Sequence, residues 1–289
     1  MRYAVTIWGA RGSIPSPGLS TSRYGGNTSC ISVEAENGGG RVVVLDAGSG
    51  IRTLGNALLE REGPQEIDLL LTHTHWDHIQ GFPFFAPMFR EGNVVRVRGA
   101  RQGDVDLSTI LRQQMHPVVF PVPLEQTAAD LTIEHIEPGR LEAGGFEVTA
   151  IRLRHPGTTL GFRVTPAGGG ATFAYVTDSE LGPGGHYDVA PQWRADLLRF
   201  LEGTDLLVHD AMYTPDDIEE HRGWGHSCYS EAVQLALDAG IGQLWLFHHR
   251  PERTDAMLDG IVRAAEVLAR HGDRGLEVRA AAEGMQASL

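Results

Sequence analysis

The sequence predicts an α/β protein in which stacked β-sheets are covered by helices on their outer faces. Three observations carry this reading. Short apolar runs alternate with Gly-containing turns along most of the 289 residues, helical patterns interleave with them, and the middle of the chain is strand-rich while helices flank both halves. No linker, repeat or low-complexity segment divides it, so one domain over residues 1–289 is expected.

Taken in order, the strand-type runs are YAVTIWG from Tyr3, SCISVEA from Ser29, RVVVLDAG from Arg41, IDLLLTH from Ile67, NVVRVRG from Asn93 and LTIEHIE from Leu131. FEVTAIRLRH from Phe146, LGFRVTP from Leu160, ATFAYVTD from Ala171, DLLVHD from Asp205, LWLFHH from Leu244 and LEVRAA from Leu276 complete the set. Each is rich in β-branched or aromatic residues and bounded by turn formers. The stretches Glu36 to Arg41 and Ala167 to Ala171, both Gly-rich and lying between strand signals, read as hairpin turns. Helices are expected over Ile51 to Arg61, Phe82 to Phe89, Ser108 to Met115, Trp193 to Leu201, Tyr229 to Ala239 and Thr254 to His271.

Composition excludes several classes. Hydrophobic residues make up 42%, as in an ordinary globular protein, and no segment approaches the apolar length of a membrane span. The start, MRYAVTIWGARGSIPSPG, lacks the basic and apolar regions of a secretory leader, so a cytoplasmic protein is expected. Cys30 and Cys228 are too few for a disulfide framework or a thiolate zinc site. Lys and Arg number 24 against 37 Asp and Glu, a net charge of −13, which repels polyanions and disfavours extended nucleic-acid binding.

The densest signal is LLLTHTHWDHIQG, Leu69 to Gly81, with three histidines and an aspartate in six residues behind an apolar strand. In extended chain His73 and His75 project to the same side and can share a metal. Asp77 and His78 follow where the chain turns into a helix and can serve a neighbouring ion. Imidazole and carboxylate suit zinc, iron or manganese. A helix-capping loop would need one such residue, not four. Further ligand-type residues end later apolar runs: His155, Asp178, and the pair His248 and His249. Singly, each is an ordinary loop residue; together they match the gathering of sites at strand ends.

THTHWDH, followed by single His, Asp and His residues at later strand ends, resembles the metallo-β-lactamase-fold hydrolases. The resemblance implies their four-layer αββα sandwich. It also implies one divalent ion on His73, His75 and His155, a second on Asp77, His78 and His248, and Asp178 bridging the two. Asp46, at the end of VVVLD, is expected to orient a ligating imidazole. WGARGSIPSPG, YGGNTSC, VHDAMYT (Val208 to Thr214) and GHSC (Gly225 to Cys228) resemble the ribonuclease Z and phosphodiesterase branch. Asp210 stands where that branch carries glutamate, and Cys228 where it carries threonine. WGHSCYSEA also reads as a loop capping the helix from Tyr229.

Ribonuclease Z carries a long RNA-gripping arm between its third and fourth motifs. Here only 22 residues separate His155 from Asp178. With the charge, this shifts the expected substrate from RNA to a small, anionic phosphodiester such as a cyclic nucleotide. Two divalent ions and two carboxylates leave roughly +2 in the pocket, enough to attract phosphate, and lower the pKa of a bridging water to give hydroxide. Asp77 is expected to orient this nucleophile, and His226, with Asp210, to protonate the leaving alkoxide. His249 is a second candidate for that task, though it reads more readily as a hydrogen-bonded histidine supporting the site, and Arg11, Ser13 and Asn27 are candidate pocket residues that also read as plain turn residues. Hydrolysis of a lactone, thioester or β-lactam, an RNA-processing nuclease, and a non-catalytic metal-binding domain are the competing readings. A homodimer is implied by the resemblance alone.

Overall fold

The structure is a computed structural model describing residues 1–36, 38–270 and 275–289. Its first half contains β1 (Tyr3–Gly9), β2 (Cys30–Ala35), β3 (Arg41–Leu45), α1 (Ile51–Leu59), β4 (Glu66–Leu71), α2 (Trp76–Ile79), β5 (Val94–Gly99), α3 (Leu107–Gln114) and β6 (Asp130–His135). The second contains β7 (Gly139–Ala143), β8 (Phe146–Arg152), β9 (Leu160–Pro166), β10 (Phe173–Val176), α4 (Trp193–Leu201), β11 (Leu206–Asp210), α5 (Tyr229–Asp238), β12 (Gln243–Phe247), α6 (Asp255–Ala269), β13 (Glu277–Ala280) and β14 (Gln286–Ser288).

Among the described residues the strands form two seven-stranded sheets, ordered β14-β1-β2-β3-β4-β5-β6 and β13-β12-β11-β10-β9-β8-β7. Alternation decides which faces meet. On β1, Tyr3, Val5 and Ile7 are buried while Ala4, Thr6 and Trp8 are not, and this inward set joins Phe146, Val148, Phe162, Tyr175 and Phe247 of the other sheet in one core. The opposite faces bury under helices. Leu54 and Leu58 of α1 and Leu107 and Leu111 of α3 cover Val42, Val44 and Leu69. Leu197, Leu235 and Leu258, from α4, α5 and α6, cover Ala174, Leu207 and Leu244. The layers run helix, sheet, sheet, helix, the αββα sandwich expected. Truncating a core ring such as Phe162 to Ala would cost about 3–5 kcal/mol.

All the expected strands form, and both predicted hairpin turns join antiparallel neighbours, β2 to β3 and β9 to β10; Asn37 of the first lies outside the described residues. β7 and β14 were not legible, because β7 is largely exposed and the three residues of β14 carry no apolar run. The helix expected over Phe82 to Phe89 is instead two 3-10 turns, Phe82–Phe84 and Ala86–Phe89. Pro83 and Pro87 each remove an amide donor, which stops an α-helix from propagating. Helix α3 begins one residue earlier than expected because Asp106 caps it, accepting from Thr109 N at 2.8 Å. Helix α6 is capped by Thr254; His271, the last residue of its expected span, lies outside the described residues.

Candidate metal centre

The parallel strands β3 and β4 in one sheet, and β10, β11 and β12 in the other, run in register, so the loops leaving their C-terminal ends converge. β4 releases Thr72 and then His73 and His75. His75 keeps an extended backbone (φ −63°, ψ 154°) as the residue before α2, whose first turn carries Asp77 and His78. Asp46, Asp178 and His248 each stand just beyond a strand end with positive φ, at 62°, 51° and 59°. That conformation is disfavoured for residues with a side chain, and such strain concentrates at functional sites.

These residues meet. Ligand-type atoms of His73, His75, His155 and Asp178 lie within 4.8 Å of one another, as do those of Asp77, His78 and His248. Asp178 joins the two groups: its Oδ2 is 3.7 Å from His73 Nε2 and 3.6 Å from His155 Nε2, while its Oδ1 is 3.2 Å from His78 Nε2 and 3.3 Å from His248 Nε2. The structure therefore brings together the seven residues that the sequence singled out.

The chemistry of the donor set fits cations. His155 Nδ1 meets the Gly225 carbonyl at 2.9 Å and His78 Nδ1 meets Asp46 Oδ2 at 2.8 Å. With Nδ1 so engaged, each Nε2 is turned towards the cluster: His155 Nε2 lies 2.9 Å from His75 Nδ1, and His78 Nε2 lies 3.3 Å from His248 Nε2. His73 Nε2 is buried without a partner. Ring nitrogens converging in this way can share a cation, and outward nitrogens anchored to carbonyl or carboxylate are the usual support of ligating histidines.

Electrostatics agree with this. Burial lowers His73 and His75 and brings His155 down to about 4, against the pull of Asp178, so these imidazoles are neutral. Burial also opposes charge on His78, but Asp178, Asp77 and Asp46 override it and raise the group well above its usual value. Burial disfavours ionised Asp178 and Asp77, yet the neighbouring histidines hold both well below the carboxylate range. Negative charge is thus concentrated where an ion would neutralise it.

Around this core stand residues of both expected and unexpected kinds. Asp46 is fully buried and accepts from Thr72 N, the Thr72 and Tyr175 hydroxyls and His78, as expected of an orienting carboxylate. His226 Nδ1 lies 2.7 Å from Asp210 Oδ2; burial opposes its charge, but Asp210 raises it to about 9. The GHSC stretch also caps a helix, since Cys228 precedes α5 and its N–H donates to Glu231 at 3.1 Å. His249 turns away: its Nε2 bonds the Ala281 carbonyl at 2.8 Å. Arg11 is buried against the carbonyls of Gly25, Arg250 and Arg253, and Asn27 binds Glu283, so both hold loops together. Ser13 does reach the site, its N–H donating to Asp77 Oδ2 at 2.7 Å.

The parts played by three residues went unseen in the sequence. A Cβ on Gly12 would sit 2.5 Å from His248 Nδ1, and one on Gly225 would sit 2.2 Å from His155 Nδ1, so both rings rest against bare backbone. Glu180, fully buried, accepts from Gly185 N, Tyr187 Oη, Gly223 N and Gly225 N and so fixes the loop that supports His155. Only its position two residues after Asp178 hinted at a role.

Residues 41–249 match the Beta-lactamase superfamily domain. The chain belongs to that superfamily. A member by most of its length, it is a metal-dependent hydrolase. It is similar to a ribonuclease Z of Bradyrhizobium sp. (strain ORS 278), 27% identical over 73% of this chain and 80% of the relative, and to one of Lacticaseibacillus casei (strain BL23), 25% identical over 77% and 79%. In fold it resembles the metallo-beta-lactamase fold protein YhfI from Bacillus subtilis (TM-score 0.70, 21% identity, all of both chains). It also resembles unliganded yeast PDE1 (TM-score 0.73, 14% identity, 99% of each). Among the described residues no helix is long and apolar enough to cross a membrane.

Proposed function

We propose that this superfamily member hydrolyses a small phosphodiester at two divalent ions, one on His73, His75 and His155, the other on Asp77, His78 and His248, bridged by Asp178. The observation that carries this reading is the division of Asp178, whose two oxygens face two separate donor groups. The donors suit zinc first, then manganese or iron. Ions bound there supply Lewis acidity at the phosphoryl oxygen and a nucleophile from water near neutral pH. The protein's own part is positional. Asp77, steadied by Ser13 N–H, orients the attacking water. His226, with Nδ1 committed to Asp210, keeps Nε2 for the leaving alkoxide, a task typically worth 10²- to 10⁴-fold. We take residues 1–289 as one domain, cytoplasmic in location.

RNA processing is the second reading, favoured by the ribonuclease Z relatives. A net charge of −13 and a plain hairpin between β9 and β10 favour a small substrate instead. The test is a panel on metal-loaded protein: bis(p-nitrophenyl) phosphate, cyclic nucleotides, precursor transfer RNA, a lactone, a thioester and a β-lactam. Turnover of the small phosphodiesters, abolished by Asp77→Ala in a folded protein, is the expected result. Cleavage of transfer RNA alone, or of the lactone, thioester or β-lactam alone, would overturn it.

A further inference from the structure

His248 belongs to two donor groups at once. Its ring is stacked on His78, with centroids 5.3 Å apart and planes 20° apart, and also on His226, at 5.0 Å and 19°. Its Nε2 is 3.0 Å from Asp77 Oδ2 and 3.3 Å from Asp178 Oδ1. Ligand-type atoms of Asp178, Asp210, His226 and His248 lie within 4.8 Å of one another, as closely gathered as the two groups already assigned, and all four residues are buried. Nδ1 of His226 is 2.7 Å from Asp210 Oδ2 and 4.0 Å from Asp178 Oδ2. Two imidazoles and two carboxylates make a donor set suited to zinc.

One nitrogen limits what these groups can hold. A neutral imidazole offers a single ring lone pair, its other nitrogen bearing the proton. Nε2 of His248 therefore binds one ion at a time, either with Asp77 and His78 or with Asp178, Asp210 and His226. The first set is the better supported, since His78 Nδ1 is anchored on Asp46 at 2.8 Å and Asp77 accepts from Ser13 N–H at 2.7 Å. Anchors of this kind raise metal affinity.

We propose that the ion held by Asp77, His78 and His248 has a second station on Asp178, Asp210, His226 and His248, filled when the first is impaired. This rests on the dinuclear reading of the site. An ion arriving there displaces to solvent the proton between His226 Nδ1 and Asp210. His226 then serves as a ligand, the ion is no longer held by Asp77, and the protein keeps its full metal content without its leaving-group acid.

The test counts zinc bound after dialysis of wild type, Asp77→Ala, His226→Ala and the double variant Asp77→Ala/His226→Ala against a small excess of zinc. Wild type and both single variants should hold about two ions per chain, and the double variant about one. His78→Ala, alone and combined with His226→Ala, should repeat this pattern and replaces Asp77→Ala if that variant does not fold. Independently of the count, nuclear magnetic resonance of nitrogen-15 histidine should find zinc on Nδ1 of His226 in Asp77→Ala and a proton there in wild type. About one ion in Asp77→Ala, about two in the double variant, or a protonated Nδ1 in metal-replete Asp77→Ala would overturn the proposal. Fewer than two ions in wild type would overturn the dinuclear reading and this proposal with it, whereas a shortfall confined to Asp77→Ala would leave the dinuclear reading standing.

Discussion

Asp210 Oδ2 lies 2.7 Å from Nδ1 of His226, even though aspartate is one methylene shorter than the glutamate of the branch this chain resembles. β11 delivers Asp210 at its last position, and the carboxylate is oriented by Met212 N at 3.0 Å through its other oxygen. His226→Ala should lower kcat on a phosphodiester by roughly 10²- to 10³-fold with bound metal unchanged. Asp210→Asn should do nearly as much. Loss of an ion from either variant, read by elemental analysis, would make the pair ligands instead of an acid and its support.

Asp46 receives four donors while fully buried. Asp46→Asn cannot accept them all, so it should weaken the second ion's affinity about 10- to 100-fold and reduce stability by about 1–3 kcal/mol. Tyr175→Phe removes one donor and should cost only about 1 kcal/mol. Metal titration and thermal melts on both variants separate the two effects; equal losses would mean that Asp46 merely fills the core.

Chelation should expose the cost of the bare cluster. Ions held by these residues bind the folded chain alone, and without them the ring nitrogens of His155 and His75, and of His78 and His248, are left crowded at 2.9 and 3.3 Å, so Tm should fall on chelation and return with zinc or manganese. Two ions per chain are expected. Asp178→Asn, which weakens the one residue shared by both groups, should lower the content of both. A loss confined to one ion would remove Asp178 from the bridging position.

Much of the candidate site was legible because ligand-type residues at strand ends obey local rules. Thr72 to His78 follow a buried strand and place four ligand-type residues in six positions, and His155, Asp178 and His248 each end an apolar run. What was not legible depends on tertiary placement. His226 was the first candidate for the leaving group and His249 the second, with a hydrogen-bonded supporting role the fuller expectation for His249; the Ala281 carbonyl holds it in such a role, away from the cluster. Glu180 and Gly225 act through loops 45 residues apart, a separation that no periodicity encodes. The Phe82 to Phe89 segment had helical spacing, but its two prolines outweighed the pattern.

Asp217 offers a pH test away from the metal cluster. Burial opposes its charge, but Thr214 N–H and hydroxyl, together with Arg253, override this and hold its carboxyl below the usual range. A carboxyl depressed in the folded state stabilises above its unfolded pKa, near 4, and that contribution fades as pH falls through the lower folded value. Asp217→Asn should therefore melt below wild type at pH 7, and the difference should shrink towards pH 3. A difference independent of pH would assign the effect to packing.

Gly225 and Gly223 form a matched pair for testing the support of His155. Both have left-handed backbone, φ 86° and 88°, so an added methyl strains each by about 1–3 kcal/mol. Their surroundings differ. A Cβ at Gly223 meets nothing nearer than 4.0 Å, whereas at Gly225 it would stand 2.2 Å from His155 Nδ1 and 2.6 Å from the Pro156 ring. Gly223→Ala should thus lose stability alone. Gly225→Ala should lose more stability and in addition displace the imidazole, lowering both metal content and phosphodiester turnover. Parallel melts, elemental analysis and rates check this. If the two variants match in all three, His155 does not depend on the bare backbone at Gly225.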